Sequence, residues 1–199
     1  PQHAEGLKLV AALCGGSLEG GAVGSCAVQL TPGALVPGRH VADTRTAGSV
    51  TLLAQAALPV ALFAPGPSSL VLRGGTDCAM APVAGYVERV LLPTLRRHFG
   101  ASAGARVGGL VRGFYPRGGG ELVLDVEPLG EGECLPPIDA SQPPGRLLRA
   151  SAEAFVAGRV PDHVGERMAA EAARVLRKEA AGAREAEVSA SWRRVGPGE

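Results

Sequence analysis

The sequence is poor in aromatic residues, cysteine motifs and long apolar runs. Aromatic side chains make up only 4% of the 199 residues, so a core must be built from leucine, valine and alanine. The four cysteines form no C-x-x-C pair and no cysteine–histidine cluster at zinc spacing, which argues against a structural zinc site. No apolar run approaches the ~20 residues of a membrane span, and no signal peptide is recognisable. We therefore expect a soluble protein of a reducing, intracellular compartment.

The sequence also lacks an excess of either positive or negative charge. Lysine and arginine number 20 and aspartate and glutamate 19, a formal net charge of +1. This balance neither requires nor excludes a nucleic-acid partner, so any basic binding surface must be local. The chain shows no close carboxylate pair, no Ser-His-Asp set and no Walker-type phosphate loop. Taken alone, the residues indicate binding of anions and flat rings rather than a reaction.

Hydrophobic periodicity and turn residues predict alternating helices and strands. Residues 40–127 follow the order β-α-β-α-β-β, and residues 4–31 follow α-β-β, the last part of that order. An internal repeat with an incomplete first copy explains this. The alternative is coincidence, since a helix followed by a hairpin is common. The predicted helix over 81–99 has Tyr86 on its inward face.

The predicted fold class is α/β (α+β), with repeated βαβαββ units, each a four-stranded sheet backed by two helices. A core is expected over 1–129, divided into a partial repeat at 1–39 and a complete one at 40–129. A Pro/Gly-rich linker at 130–145 then leads to a smaller, truncated α/β domain at 146–199. Because the chain starts without methionine and inside a repeat, we expect a fragment.

The stretch HVADTRTAGSVTLLAQ, residues 40–55, joins a polar run to an apolar helix. Gly48 and Ser49 lie where strand passes to helix, a place where free N–H groups attract anions. The alternative is an ordinary N-cap. Gln55 lies about two turns into the helix and is expected to be buried. Its amide then either satisfies a neighbouring carbonyl group or faces a cleft and binds a base edge.

Three further features suit a ligand but have ordinary structural explanations too. Pro82 and Tyr86, four residues apart, could hold a flat ring between them or simply belong to the core. The segment 112–120 places arginines and aromatics beside a glycine turn, as in single-strand binding proteins, or is a solvated hairpin loop. His3, next to Gln2, could bind phosphate but is weak as a signal alone.

Four segments resemble the RNA 3′-terminal phosphate cyclases in their order and spacing, and their residues are more similar to the animal enzymes than to the bacterial ones. They are PQH (1–3), ADTRTAGSVTLLAQAALP (42–59), RGGTDCAMAP (73–82) and RGFYPRGGGE (112–121). The resemblance implies stacked βαβαββ units with a smaller inserted domain. It also implies a reaction that uses ATP and a divalent metal, Mg or Mn. A histidine takes up AMP from ATP and passes it to the 3′-phosphate end of an RNA, and the 2′-hydroxyl then closes a 2′,3′-cyclic phosphate.

The resemblance carries roles to particular residues. Gln55, Pro82 and Tyr86 match nucleotide-contacting positions, and Gln2 and His3 match a pair near the reacting phosphates. The family's nucleophilic histidine and its acidic metal ligand match nothing in this sequence, so we expect no catalytic residue, no metal ligand and no activity of this chain alone. RNA 3′-phosphate ends are the expected partner, with no membrane, in the nucleus or alternatively the cytoplasm.

Two other functions remain open at this stage. One is a related rRNA-processing factor of the same fold that binds or assembles without cyclase activity. The other is an enolpyruvyl transferase of similar architecture, which would need a different pattern of basic residues. Gln55 and Pro82 together with the intact DTRTAGS segment favour the cyclase.

Overall fold

A computed structural model describes residues 1–100, 104–139, 141, 143, 145–182 and 186–196. The chain divides into two compact units, Pro1–Ile138 and Asp139–Glu199. This boundary lies inside the segment predicted as a linker, three residues of which (140, 142 and 144) are outside the described residues. Residues 183–185 and 197–199 of the predicted second domain are outside them too.

The first unit contains all the candidate site residues. It begins with helix α1 (Gln2–Leu13) and a small antiparallel pair, β1 (Ser17–Glu19) and β2 (Gln29–Thr31). The strands of its main sheet are β3 (Gly38–Asp43), β4 (Ser68–Gly74), β5 (Gly104–Val111) and β6 (Gly120–Glu127). Helix α2 (Val50–Ala61) joins β3 to β4. A helical segment made of α3 (Ala84–Tyr86), a π-helical turn (Val87–Leu91) and α4 (Leu92–Phe99) joins β4 to β5.

The main sheet has the strand order β3-β4-β6-β5. Strands β3 and β4 are parallel, and β6 is antiparallel to both of its neighbours. Strands β3, β4 and β5 therefore run in one direction, and their carboxyl ends meet at one side of the sheet. We call this side the carboxyl edge. The mixed sheet and its helices confirm the predicted α/β (α+β) fold class.

The core of this unit is aliphatic, as the low aromatic content requires. Leu70, Leu72, Leu122 and Leu124 of the two central strands are fully buried, because alternate strand residues point to the helix-covered face. Helix α2 covers them with its alanines and leucines, including Ala57, which has no exposed surface.

The prediction that Tyr86 faces inward from the third helix is wrong, whereas Leu91 and Leu95 of the same helix pack against the core, as the sequence pattern predicts. Val83 and Tyr86 are 43% and 47% exposed, whereas Ala84, Val87 and Leu92 are buried. The helix begins at Ala84, and its π-helical turn has a period longer than 3.6 residues. A pattern read at 3.6 residues per turn therefore selects some of the wrong side chains.

The second unit is a β-α-β arrangement. Strands β7 (Arg149–Ala157) and β8 (Glu187–Val195) pair in parallel and are connected by α5 (Asp162–Glu179) and a 3-10 turn (Ala180–Gly182). The predicted last strand began at residue 185, which is outside the described residues. Across the described ranges, no helix combines the length and the apolar character that crossing a membrane requires.

Candidate functional site

Three loops leave the carboxyl edge of the main sheet. Gln55, Pro82 and Tyr86 lie on these loops or on the helices that follow them, whereas Gln2 and His3 lie in the first turn of α1. The first loop, residues 44–49, is held against the end of β4 by backbone hydrogen bonds. Thr44 N donates to Arg73 O at 3.0 Å, and Gly75 N donates to Gly48 O at 2.8 Å. The polar residues at 44–49 are thus fixed at the edge where ligands bind in open α/β sheets.

Ser49 is the N-cap of α2, as one reading of the sequence predicted. Its Oγ accepts a hydrogen bond from Leu52 N at 3.4 Å, which satisfies one of the free amides of the first turn. Its own N–H donates to Gln2 Oε1 at 2.6 Å. Because this contact fixes the amide of Gln2, the NH₂ group of that side chain remains available as a donor.

A chain of hydrogen bonds continues from Ser49 to the second loop. Thr51 Oγ1 donates to Pro82 O at 2.6 Å, so Ser49 Oγ donates in turn to Thr51 Oγ1 at 2.7 Å. Both hydroxyl residues are buried, where unpaired hydroxyls would be costly. The start of α1, the start of α2 and the loop that carries Pro82 are therefore tied together through side chains.

Gln55 is exposed, and the prediction that its amide is buried is wrong. The outward side of α2 repeats at helical spacing and includes Gln55, Ala56 and Pro59, while the inward side takes the larger aliphatic residues. Pro59 lies within the helix, on its exposed side.

The Gln55 side chain lines a groove of about 570 Å³ between α1 and α2, which we call the α1/α2 groove. Its lining residues are Gln2, His3, Gly6, Leu7, Val10, Leu52, Leu53, Gln55 and Ala56. A Cβ at Gly6 would lie 3.5 Å from Leu53 Cδ2, an ordinary van der Waals contact, so α1 and α2 are close neighbours there. Three of the five predicted ligand-contacting residues thus face one hollow, which has apolar walls and a polar end.

Pro82 and Tyr86 do not line the α1/α2 groove within the described part of the chain. Pro82 is held through its carbonyl oxygen beside the first turn of α2, and Tyr86 lies four residues further on with its ring half exposed. Gln55 follows Thr51 by the same four residues. Gln55 therefore lies one helical turn beyond Thr51, whereas the segment from Pro82 to Tyr86 becomes helical only at Ala84.

The loop that carries Pro82 is anchored by a buried ion pair. Arg112 Nη1 lies 2.9 Å from both carboxylate oxygens of Asp77, and the two side chains are only 5% and 17% exposed. Thr76 exchanges hydrogen bonds with Gly113, and Ala84 N donates to Thr76 O at 2.8 Å. These contacts connect the end of β5 to the start of α3.

Cys78, in the same loop, is an inert thiol. Its Sγ donates to Ala47 O at 3.0 Å, and burial raises its pKa, with a smaller contribution from the charge of Asp77. A raised pKa keeps the thiol protonated at neutral pH, so Cys78 is a poor nucleophile.

The described residues do not form a metal site of their own. No group of three His, Cys, Asp or Glu side chains lies close enough to hold an ion in the part of the chain that the structure describes. Of the other histidines, His40 contacts Val36 O at 2.9 Å through Nε2, and His98 lies on α4.

The sequence analysis missed a cluster formed by Arg45, Arg73 and Arg117. All three line one cleft at the carboxyl edge. A signal was present, because Arg45 follows β3, Arg73 ends β4 and Arg117 precedes β6. Only the order and direction of the strands bring those three positions together.

Comparison with known proteins gives consistent results along the whole chain. The family model for RNA 3′-terminal phosphate cyclase matches residues 1–186. Proteins named RNA 3′-terminal phosphate cyclase are 38% identical over 198 residues in Pyrobaculum neutrophilum, 46% over 136 in Nitrosospira multiformis and 39% over 166 in Drosophila melanogaster.

These alignments cover 100%, 68% and 82% of this chain, but 54%, 36% and 43% of the respective relatives. The chain thus spans about half or less of the length of the relatives it matches. The family model matches nearly the whole chain, and these relatives are 38–46% identical to it. The chain belongs to the RNA 3′-terminal phosphate cyclase family.

Proposed function

We propose that this chain carries the nucleotide- and RNA-end-binding part of an ATP-dependent RNA 3′-phosphate cyclase. In the proposed reaction, the nucleophile is a histidine of the family that corresponds to no residue of this sequence. It attacks the α-phosphate of ATP, and diphosphate leaves. AMP passes to the RNA 3′-phosphate. The adjacent 2′-hydroxyl then attacks that phosphorus and expels AMP, a fast intramolecular step. The observation that supports this most is the α1/α2 groove, where Gln2, His3 and Gln55 meet.

Each residue of the groove suits one part of the ligand. The Gln55 amide offers a donor and an acceptor, the pair that matches the N6 and N7 edge of adenine. Leu7 and Val10 give the apolar wall that a base needs. The free NH₂ of Gln2 and the ring of His3 lie at the polar end, where they can donate to phosphate oxygens. Pro82 and Tyr86 are proposed to contact the nucleotide from the adjoining loop.

Gln55→Ala tests the nucleotide role. We expect about five- to tenfold weaker binding of a fluorescent ATP analogue, the effect of losing about one hydrogen-bonding group. Titration followed by fluorescence anisotropy measures it. Gln29→Ala, an exposed glutamine on β2, is the matched control and should bind like the wild type. Equal affinity of the Gln55 variant and the control would remove Gln55 from the site. A wild type that binds no ATP would favour the non-catalytic rRNA-processing factor.

A second test addresses covalent chemistry. Incubation of the chain with α-³²P-labelled ATP and Mg²⁺ or Mn²⁺ should leave it unlabelled after denaturing electrophoresis, because no residue here matches the family's nucleophile. The full-length cyclase from Drosophila melanogaster serves as the positive control. A stable label on this chain that disappears in His3→Ala would show that His3 accepts AMP and that the proposed division of roles is incorrect.

The cellular location stays a prediction. We propose the nucleus, with the cytoplasm as the alternative.

A further inference from the structure

A second hollow at the carboxyl edge, which we call the arginine cleft, is separate from the α1/α2 groove. It has a volume of about 300 Å³. Its lining residues are Asp43, Arg45, Thr46, Arg73, Gly74, Arg117, Gly119, Gly120 and Glu121. The two hollows share no lining residue.

The charges of the arginine cleft leave cationic groups available. Arg73 Nε lies 2.8 Å from Glu121 Oε2, a contact that raises the pKa of Arg73 first by hydrogen bonding and then by charge attraction. The Asp43 carboxylate accepts from the backbone N–H of Arg45 at 2.7 Å. The Arg45 and Arg117 guanidinium groups have no ion-pair partner among the described residues. Arg73 is thus paired with Glu121, and Asp43 is the remaining carboxylate beside Arg45 and Arg117, which leaves the cleft a net charge of +1.

The backbone around the cleft is built to present these arginines. Arg45 has φ 53°, a left-handed conformation that is costly for a residue with a Cβ and is held by the Asp43 contact. Gly118 lies directly against the Thr46 carbonyl, so close that a Cβ would collide with it. This approach brings the loop that carries Arg117 to the loop that carries Arg45.

The position of the cleft beside the loop at residues 44–49 favours a polynucleotide over a small anion. The loop at residues 44–49 lines the cleft with Arg45 and Thr46, and at its other end Ser49 binds Gln2 of the α1/α2 groove. A chain of nucleotides whose end lies in the groove can therefore continue along this loop into the cleft. Tyr115, two residues from Arg117, is 84% exposed and offers a ring on which a base can stack.

We propose that the arginine cleft binds the phosphodiester backbone of a single-stranded RNA upstream of its 3′ end. This inference rests on the proposed function for the identity of the polymer. Arg45 and Arg117 neutralise backbone phosphates and Thr46 contributes a hydroxyl donor. Guanidinium groups suit this role because their planar fork matches phosphate oxygens. The cleft sets how the RNA lies and reads no sequence.

The test uses the full chain and a fluorescein-labelled 12-nucleotide RNA with a 3′-phosphate, followed by anisotropy at several salt concentrations. The double variant Arg45→Gln/Arg117→Gln should bind this RNA about twentyfold more weakly at 0.1 M salt, with a salt slope lower by about 1.4. Arg96→Gln/Arg97→Gln on α4 removes the same charge from another element and is the control. Arg45→Lys/Arg117→Lys keeps the charge and should retain most of the affinity.

The outcomes separate this inference from the proposed function. Loss of RNA affinity no greater than in the control, or equal loss of ATP-analogue affinity, overturns the arginine cleft as an RNA backbone site. The same loss for RNA ending in a 3′-phosphate or a 3′-hydroxyl supports it, because the cleft holds internal phosphates. A wild type that does not prefer the 3′-phosphate end contradicts the proposed function and leaves the cleft result intact.

Discussion

Arg112→Met should lower the free energy of unfolding of the first unit by about 3–5 kcal/mol. The substitution removes one partner of a buried ion pair and leaves the Asp77 carboxylate, 17% exposed, without its cation. The Asp77 carboxylate keeps its hydrogen bond from Thr76 Oγ1 at 2.7 Å but loses its cation, and a largely desolvated charge without a counter-charge is costly. Hydrogen exchange of β4 and β6 amides measures the stability of this unit directly.

Strand β5 itself supplies a matched control, since Arg106 lies on it and Arg112 directly follows it. Arg106 pairs with Asp125 at 2.9 Å, but its side chain is 70% exposed. Arg106→Met should therefore cost no more than about 0.5 kcal/mol, because water screens such pairs. Adding Asp77→Asn to Arg112→Met should recover part of the loss, since the stranded charge is then removed. Similar losses for Arg112→Met and Arg106→Met would mean that burial of the Asp77 pair has no energetic weight.

Gly118→Ala should cost about 3 kcal/mol in the same measurement. Gly118 has φ 72°, which costs an alanine about 1–2 kcal/mol. In addition, the new Cβ would collide with the Thr46 carbonyl and lie 3.0 Å from Ala47 Cα. Both contacts are with backbone that hydrogen bonds hold to β4, so relief requires movement of the whole loop.

The adjacent glycine separates the two causes. Gly119 has the same φ of 72°, but a Cβ there meets nothing within 4 Å. Gly119→Ala should therefore show the conformational cost alone, about 1–2 kcal/mol. Equal effects at the two positions would show that the loops at 44–49 and 112–119 do not press together as described, and would weaken the arginine cleft as well.

Local patterns predicted much of the first unit. The alternation of β6 follows from its period-2 sequence, and α2 follows from Ser49 as a cap before a run of helix formers. The glycines at 118–120 marked a turn at the right place. These features depend on neighbours within a few residues, so one sequence is enough to identify them.

Local patterns failed where a distant segment decides. The exposure of Gln55 depends on which side of α2 packs on the sheet. The exposure of Tyr86 depends on the helix that continues from it, whose π-helical turn the spacing of residues does not predict. The insertion of β6 between β4 and β5 is likewise a choice among pairings that a hairpin sequence leaves open. The binding roles of Gln2, His3, Gln55, Pro82 and Tyr86 stay predictions.

The amino-acid sequence was enough to identify the family and the kinds of secondary structure, and to select residues whose side chains could bind a ligand. Only the tertiary structure decided which of those residues share a hollow: Gln2, His3 and Gln55 in one, and Arg45, Arg73 and Arg117 in the other. The physical reason is that periodicity and capping are set by short-range backbone geometry, whereas a site is set by strand order. Strand order results from burying one continuous aliphatic core, a property of the whole unit that no short segment contains.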